Sequence, residues 1–416
     1  MLKTISLLLV LCAGIRAQTP ATTNPVVQWN RNLLGIVRTP GAQPSTIHPT
    51  RSFAVMHAAI YDAVNAIDGT HRPYLVQLQN VSPGASQEAA AASAAHEVLV
   101  SLYPNLRATL DAKFQESLAQ ITDGSAKDQG LAIGQLAADQ IVALRSNDGS
   151  NTAPTPHVFG TTPGAYQKTP PNFPNPVFTQ WPQVTPFALQ FAGQFRPGPP
   201  PDLTSSAYTD AFNEVKAFGI ARSTAATTDQ ALAGRFWNGA IQNYWNEIAQ
   251  QTTLANNLTT AQSARLFALM NLTFADSVIA FYDAKYTYDF WRPITAIRAA
   301  DQDNNPDTTP DPNWLPEVGN TTPDPSYPGA HAVISAAGAT VLDAFFARDN
   351  FNFSVTSEVL AGVQRSFTSF SSAADEASVS RIFAGVHFRT DLTAGQQLGN
   401  EVANYVVEHF LTAVGQ

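Results

Sequence analysis

The 416-residue chain has one cysteine, Cys12, and only 13% of its residues are charged. A lone cysteine excludes a disulfide framework and any Cys-ligated metal centre. Lysine and arginine number 23 against 32 acidic residues, so the formal net charge is −9. No basic stripe could counter a phosphate backbone, which excludes general nucleic-acid binding. After the N-terminus, no stretch reads as long and apolar enough to cross a membrane, so an integral membrane protein is not expected. What is present is 44% hydrophobic residues, many of them alanine. That composition argues for a packed globular chain and against disorder.

The opening "MLKTISLLLVLCAGIRAQ" has Lys3, an apolar run from Ile5 to Leu11, and small residues ending at Ala17. This is the layout of a secretory signal peptide over residues 1–17, a buried N-terminal helix being the alternative. Cleavage near Ala17 would leave a mature chain without a thiol, secreted or periplasmic. Asn80, Asn257, Asn271, Asn320 and Asn352 each begin an N-x-Ser/Thr sequon, which permits glycosylation in a eukaryotic secretory route.

Helical periodicity dominates the rest of the chain. Amphipathic runs cover 51–67, 86–103, 105–121, 126–145 and 206–219, then 229–250 and 260–286, and finally 332–347, 356–370, 373–384 and 388–412. Between Ser150 and about Pro201 the chain is rich in Pro and aromatics and cannot be regular helix. Its Phe and Trp residues need burial, so an ordered wrap is expected. The pattern predicts an all-α helical bundle with a long Pro-rich ordered loop. Residues 18–416 read as a single domain: a helical half over 30–150, the wrap over 151–202, and a second half over 203–416.

Three stretches carry chemistry. In "KYTYDFWRP", Lys285 and Arg292 lie seven apart, on one face if the helix continues, though Pro293 biases Arg292 away from helix. They suggest an anion clamp, or a pair of surface charges. In "PSYPGAHAVIS", Pro328 and Gly329 make a turn into a helix with His331 in its first turn. The N–H groups of Gly329, Ala330 and His331 would bind an anion there, and His331 could pass it protons or merely cap the turn. In "SRIFAGVHFRTD", His387 and Asp391 are i and i+4, so the carboxylate can fix the imidazole tautomer. A helix break near Gly385 would let Arg381 end one helix while His387 opens the next, with Arg389 facing out. No carboxylate pair accompanies these residues in the pattern of a hydrolytic metal site. Three cations sharing a site call for an anion, and a tetrahedral oxyanion suits Arg geometry.

Lys-x6-Arg-Pro, then a Pro-x-x-Pro-Gly-Ala-His turn, then Ser-Arg-x5-His-x3-Asp resembles the three-part signature of the vanadium-dependent haloperoxidase and type-2 phosphatidic acid phosphatase superfamily. "HAAIYDAVNAIDG" and "DAKYTYDFWRPITAIR" are similar to its soluble, secreted haloperoxidase branch. The resemblance runs from about residue 30 to the C-terminus. It implies a helical bundle with a pocket for vanadate or phosphate. His387 would bond vanadium, with Lys285, Arg292 and Arg381 on its oxygens, His331 as acid–base and Asp391 orienting His387. Hydrogen peroxide and halide would be the substrates, a homo-oligomer being left open. In a phosphatase, acting on a phosphate ester, His387 would instead attack phosphorus and His331 would protonate the leaving alcohol. A third reading is an oxyanion-binding protein without turnover. Two departures stand out. The family's Ser-Gly before this His is Gly329-Ala330 here, which removes one hydroxyl donor worth about 1.5–3 kcal/mol to a charged group. Asp324, seven before His331, lies where the family has an aromatic or His near the halide, and a carboxylate would repel that ion.

Overall fold

A computed structural model describes residues 24–415. The leader expectation and Cys12 fall outside the described residues. Among the described residues thirteen α-helices run in order: α1 Pro25–Arg38, α2 Pro49–Asp68, α3 Gln87–Leu102, α4 Arg107–Leu118, α5 Ser125–Arg145, α6 Ser206–Phe218, α7 Thr228–Phe236, α8 Ile241–Ala255, α9 Thr260–Tyr288, α10 Pro293–Arg298, α11 Ala330–Phe346, α12 Phe370–Phe383 and α13 Arg389–His409. A hairpin of β1 (Asn350–Thr356) and β2 (Gln364–Ser369) separates α11 from α12.

The boundaries follow local chemistry. Pro49 starts α2, and Gly69 ends it in the left-handed conformation. Thr259 and Gln262 form a capping box at the start of α9. Contrary to the sequence expectation, α9 is long and apolar enough to cross a membrane, but 94% of its most apolar window is buried in the protein. It is the central helix of the bundle, packed by α2, α11 and α13. Small residues let helices approach backbone to backbone. A Cβ on Gly399 of α13 would stand 2.1 Å from the Val333 carbonyl oxygen of α11, so only glycine fits this crossing.

Three expectations need correction. The run 229–250 is two helices, broken at residues 237–240. Of the run 356–370, residues 356–369 are not helix but the end of β1, a loop and β2, and Phe370 opens α12. The alternation of Phe353 and Val355 with polar neighbours is a period-two signal, and Phe353 meets Phe367 across the hairpin at 5.8 Å. Helix α1 lies outside the runs predicted from periodicity. Of the five sequons, Asn271 is fully buried and bonded to Asn246, so it is inaccessible to modification as folded.

The Pro-rich segment is held to the bundle by a buried carboxylate. Asp276 on α9 accepts the N–H groups of Phe187, Ala188 and Leu189 at 2.6, 2.6 and 2.7 Å. Asp276→Ala strands three buried amides. It is expected to lower unfolding free energy by about 3 kcal/mol in urea melts; a loss below about 0.5 kcal/mol would refute the anchoring role.

Candidate active site

The cations are brought together by helix ends. Helix α9 stops at Asp289, which is left-handed at φ 47°, and Arg292 caps α10 in extended backbone. Lys285 and Arg292 therefore do not share a helix face; the turn between them folds Arg292 back. Helix α12 ends at Phe383, and Gly385 turns the chain at φ +80°. Arg381 thus lies in the last turn of α12, and His387 just precedes α13. Arg389 faces outward and pairs with Glu214.

Arg292, Arg381, His331, His387, Ala330 and Asp324 line one cavity of about 300 Å³. Lys285, Gly329 and Asp391 stand behind its wall. Lys285 is fully buried and donates to the carbonyls of Pro325 and Ser326. The Gly329 N–H is not free for an anion, because it donates to the Asp391 carbonyl at 2.9 Å. Ala330 and His331 occupy the first two positions of α11, where amides have no intrahelical acceptor.

Asp391 orients His387. The His387 Nδ1–H donates to Asp391 Oδ2 at 3.0 Å, and Ser326 Oγ donates to the same oxygen at 2.6 Å. This tautomer leaves a lone pair on Nε2, which receives Arg292 Nη1–H at 3.1 Å. Burial, then the positive charge of Arg292, Lys285 and Arg381, hold His387 neutral, well below the usual histidine range. Burial also pushes the Asp391 carboxyl up to about 6, against the Ser326 hydrogen bond. His331 donates Nε2–H to the Trp237 carbonyl at 2.9 Å, so Nδ1 is the unprotonated nitrogen. Burial and Arg381 press its pKa well down, although the Trp237 and Gly239 carbonyls favour the charged ring.

Several contributors carry no sequence signal. His48, the N-cap of α2, lines the cavity beside Phe178 and Tyr282, and burial lowers its pKa to about 3. Asn238, in the α7–α8 break, accepts Arg381 Nη1–H at 3.2 Å. Nothing in a lone His-Pro or Asn-Gly marks either residue for a site whose other members lie far along the chain. Ser326 sits inside the second motif, but only the fold turns its hydroxyl onto Asp391.

The donor set fits an oxyanion. Arg292 and Arg381 line the cavity with the Asp324 carboxylate, burial brings Lys285 behind the wall down to about 7, and burial and the neighbouring cations hold both imidazoles neutral. Arg381 is 4% exposed, and its buried Nε–H has no partner among the described residues. Burial and repulsion by Arg292 lower its pKa, the signature of a cationic site short of an anion. Among the described residues, no cluster of His, Cys, Asp and Glu could hold a bare metal cation.

Comparison with known proteins gives concordant results. Residues 265–416 match the family model described as the VCPO second helical-bundle domain. The chain is 26% identical to the vanadium chloroperoxidase of Curvularia inaequalis, across 90% of this chain and 80% of that one. It is similar to the crystal structure of a bacterial vanadium-dependent iodoperoxidase, with TM-score 0.77 and 26% identity over 93% of this chain and 96% of that one. A holo-type bacterial vanadium-dependent chloroperoxidase shares the fold, with TM-score 0.67 at 17% identity, over 94% of each chain.

Proposed function

We propose, on the premise that this chain belongs to the vanadium haloperoxidase superfamily, that it binds vanadate in the cavity and oxidises a halide with hydrogen peroxide. The observation that carries the reading is a pair of buried arginines on one small cavity, with the Arg381 Nε–H unpartnered among the described residues. Buried cations are costly unless an anion accompanies them, and a tetrahedral oxyanion presents several acceptors to Arg.

Bound vanadate would supply the Lewis-acid centre for peroxide activation. The chain's residues supply the rest. His387 offers the Nε2 lone pair as ligand, and Asp391 keeps the proton on Nδ1. Arg292 and Arg381 on the cavity wall would hold the negative oxygens, and Lys285 behind the wall would add to the field without a direct contact. The Ala330 and His331 amides add donors at the positive end of α11. Neutral His331 takes a proton from incoming peroxide at Nδ1 and returns it later as acid. Phe178 and Tyr282 give the same cavity an aromatic part of its lining. We further infer that the protein acts outside the cytoplasm, secreted or periplasmic, on the strength of residues 1–17. N-terminal sequencing of the exported protein tests this; a mature chain still starting at Met1 refutes it.

The activity test is reconstitution with orthovanadate, followed by bromination or iodination of a phenol dye with peroxide. Vanadate-dependent turnover is expected with at least one halide, and none with iodide, bromide or chloride would overturn the reading. A second reading, a phosphomonoesterase with His387 as nucleophile, is favoured by one observation: the Asp324 carboxylate on the cavity wall is unfavourable for a halide. It requires aryl-phosphate hydrolysis that vanadate inhibits.

A further inference from the structure

Asp324 lies within the group of cations it neutralises. It is 3% exposed and lines the cavity together with Arg292, Arg381 and His387. Its carboxylate is ion-paired with Arg292 Nη2, and its backbone carbonyl accepts Arg292 Nε–H at 2.8 Å. Lys285 Nζ stands 3.8 Å from the same carboxylate oxygen. Arg292 Nη1 is taken by the Val386 carbonyl at 2.9 Å and by His387 at 3.1 Å. A guanidinium has five N–H groups, so Arg292 has almost none to spare. Arg381 is the contrast: one long hydrogen bond to Asn238 and a buried, unpartnered Nε–H. One arginine of the cavity is closed by an internal anion while the other is open.

One Nη2 N–H is left for a single contact, but an anion can grip the Nε–Nη2 edge of Arg292 in bidentate fashion only if Asp324 leaves it. We propose that Asp324 is a resident counter-ion that an incoming oxyanion must displace from Arg292, and that it thereby sets oxyanion affinity at this site. The inference rests on the reading that the cavity takes an oxyanion. The loop suits the role. Asp324 lies between Pro323 and Pro325, in a stretch outside helix and strand, so its carboxylate can turn without moving a helix. A multiply charged tetrahedral anion can compete for Arg292 on charge and on bidentate geometry; a halide, with one charge and no fork to match, competes poorly. Asp324 therefore discriminates between guests as well as holding the empty site together.

The test is calorimetric titration of the purified protein with orthovanadate and, separately, inorganic phosphate, at fixed ionic strength. Asp324→Asn and Asp324→Ser are expected to bind both anions about tenfold or more tightly than the natural protein. Unchanged or weaker binding in both variants, with clear binding by the natural protein, overturns the counter-ion role and leaves the proposed function standing. No binding by any of the three proteins overturns the oxyanion reading itself. Melting temperature guards against a folding defect. Without anion the variants should melt lower than the natural protein, because the cations have lost their partner. Phosphate should then raise their melting temperature by more than it raises the natural protein's; an equal or smaller rise counts against the proposal. A variant that folds only in the presence of phosphate supports it, and one that phosphate fails to rescue counts against it.

Discussion

Replacing His387 with alanine is expected to cut vanadate-dependent halide oxidation by roughly 10³-fold or more, with the fold retained. The side chain's Nε2 carries an uncharged lone pair held beside Arg292 at 3.1 Å, with its tautomer fixed by Asp391. Removing it deletes a ligand, not a prop: the packing of α13 rests on Asp391 accepting the Phe388 N–H at 3.0 Å and on Gly329 bonding the Asp391 carbonyl, both independent of the imidazole. Two readouts separate the roles. Orthovanadate affinity should fall with the activity, whereas circular dichroism and melting temperature should change little. An alanine variant that keeps more than about a tenth of the activity would remove His387 from the chemistry. Asp391→Asn should lose less, about 10–100-fold in vanadate affinity or activity, because it perturbs the tautomer and leaves the ring in place.

The second large effect is on stability. Gly385→Ala should lower the unfolding free energy by about 2–4 kcal/mol. The residue sits at φ +80°, where a Cβ is strained, and that Cβ would stand 2.3 Å from the Gly219 carbonyl oxygen and 2.8 Å from Pro316. Neither contact is the flexible end of a side chain, so backbone must move. Because this turn joins Arg381 to His387, whatever folded protein remains should also bind oxyanion less tightly. Equilibrium urea unfolding measures the first effect and titration the second. A variant within about 0.5 kcal/mol of the natural protein would show that the turn is not confined as described.

Legibility differs between element and site. The helices of the N-terminal half can be read because alanine-rich and amphipathic runs repeat at the helical period and are bounded by Pro, Ser and Gly caps. The hairpin escapes such a reading since its alternation spans only Phe353 and Val355 on one strand and Phe367 on the other, too short to outweigh a helical pattern. The break between α7 and α8 escapes it for a similar reason: Asn238-Gly239 interrupts a run whose flanks are both strongly helical, yet that break supplies the Trp237 carbonyl for His331 and Asn238 for Arg381.

The linear sequence was enough for the helical class, for the i, i+4 pairing of His387 with Asp391, and for the turn at Gly385, because each depends on spacing or backbone freedom within a few residues. Tertiary structure alone decided which donors face the cavity. It withdrew the Gly329 amide, set Lys285 behind the wall, brought His48 across from the other half of the chain, and paired Asp324 with Arg292. The physical reason is that buried charges arrange themselves to satisfy one another over separations that no local pattern encodes.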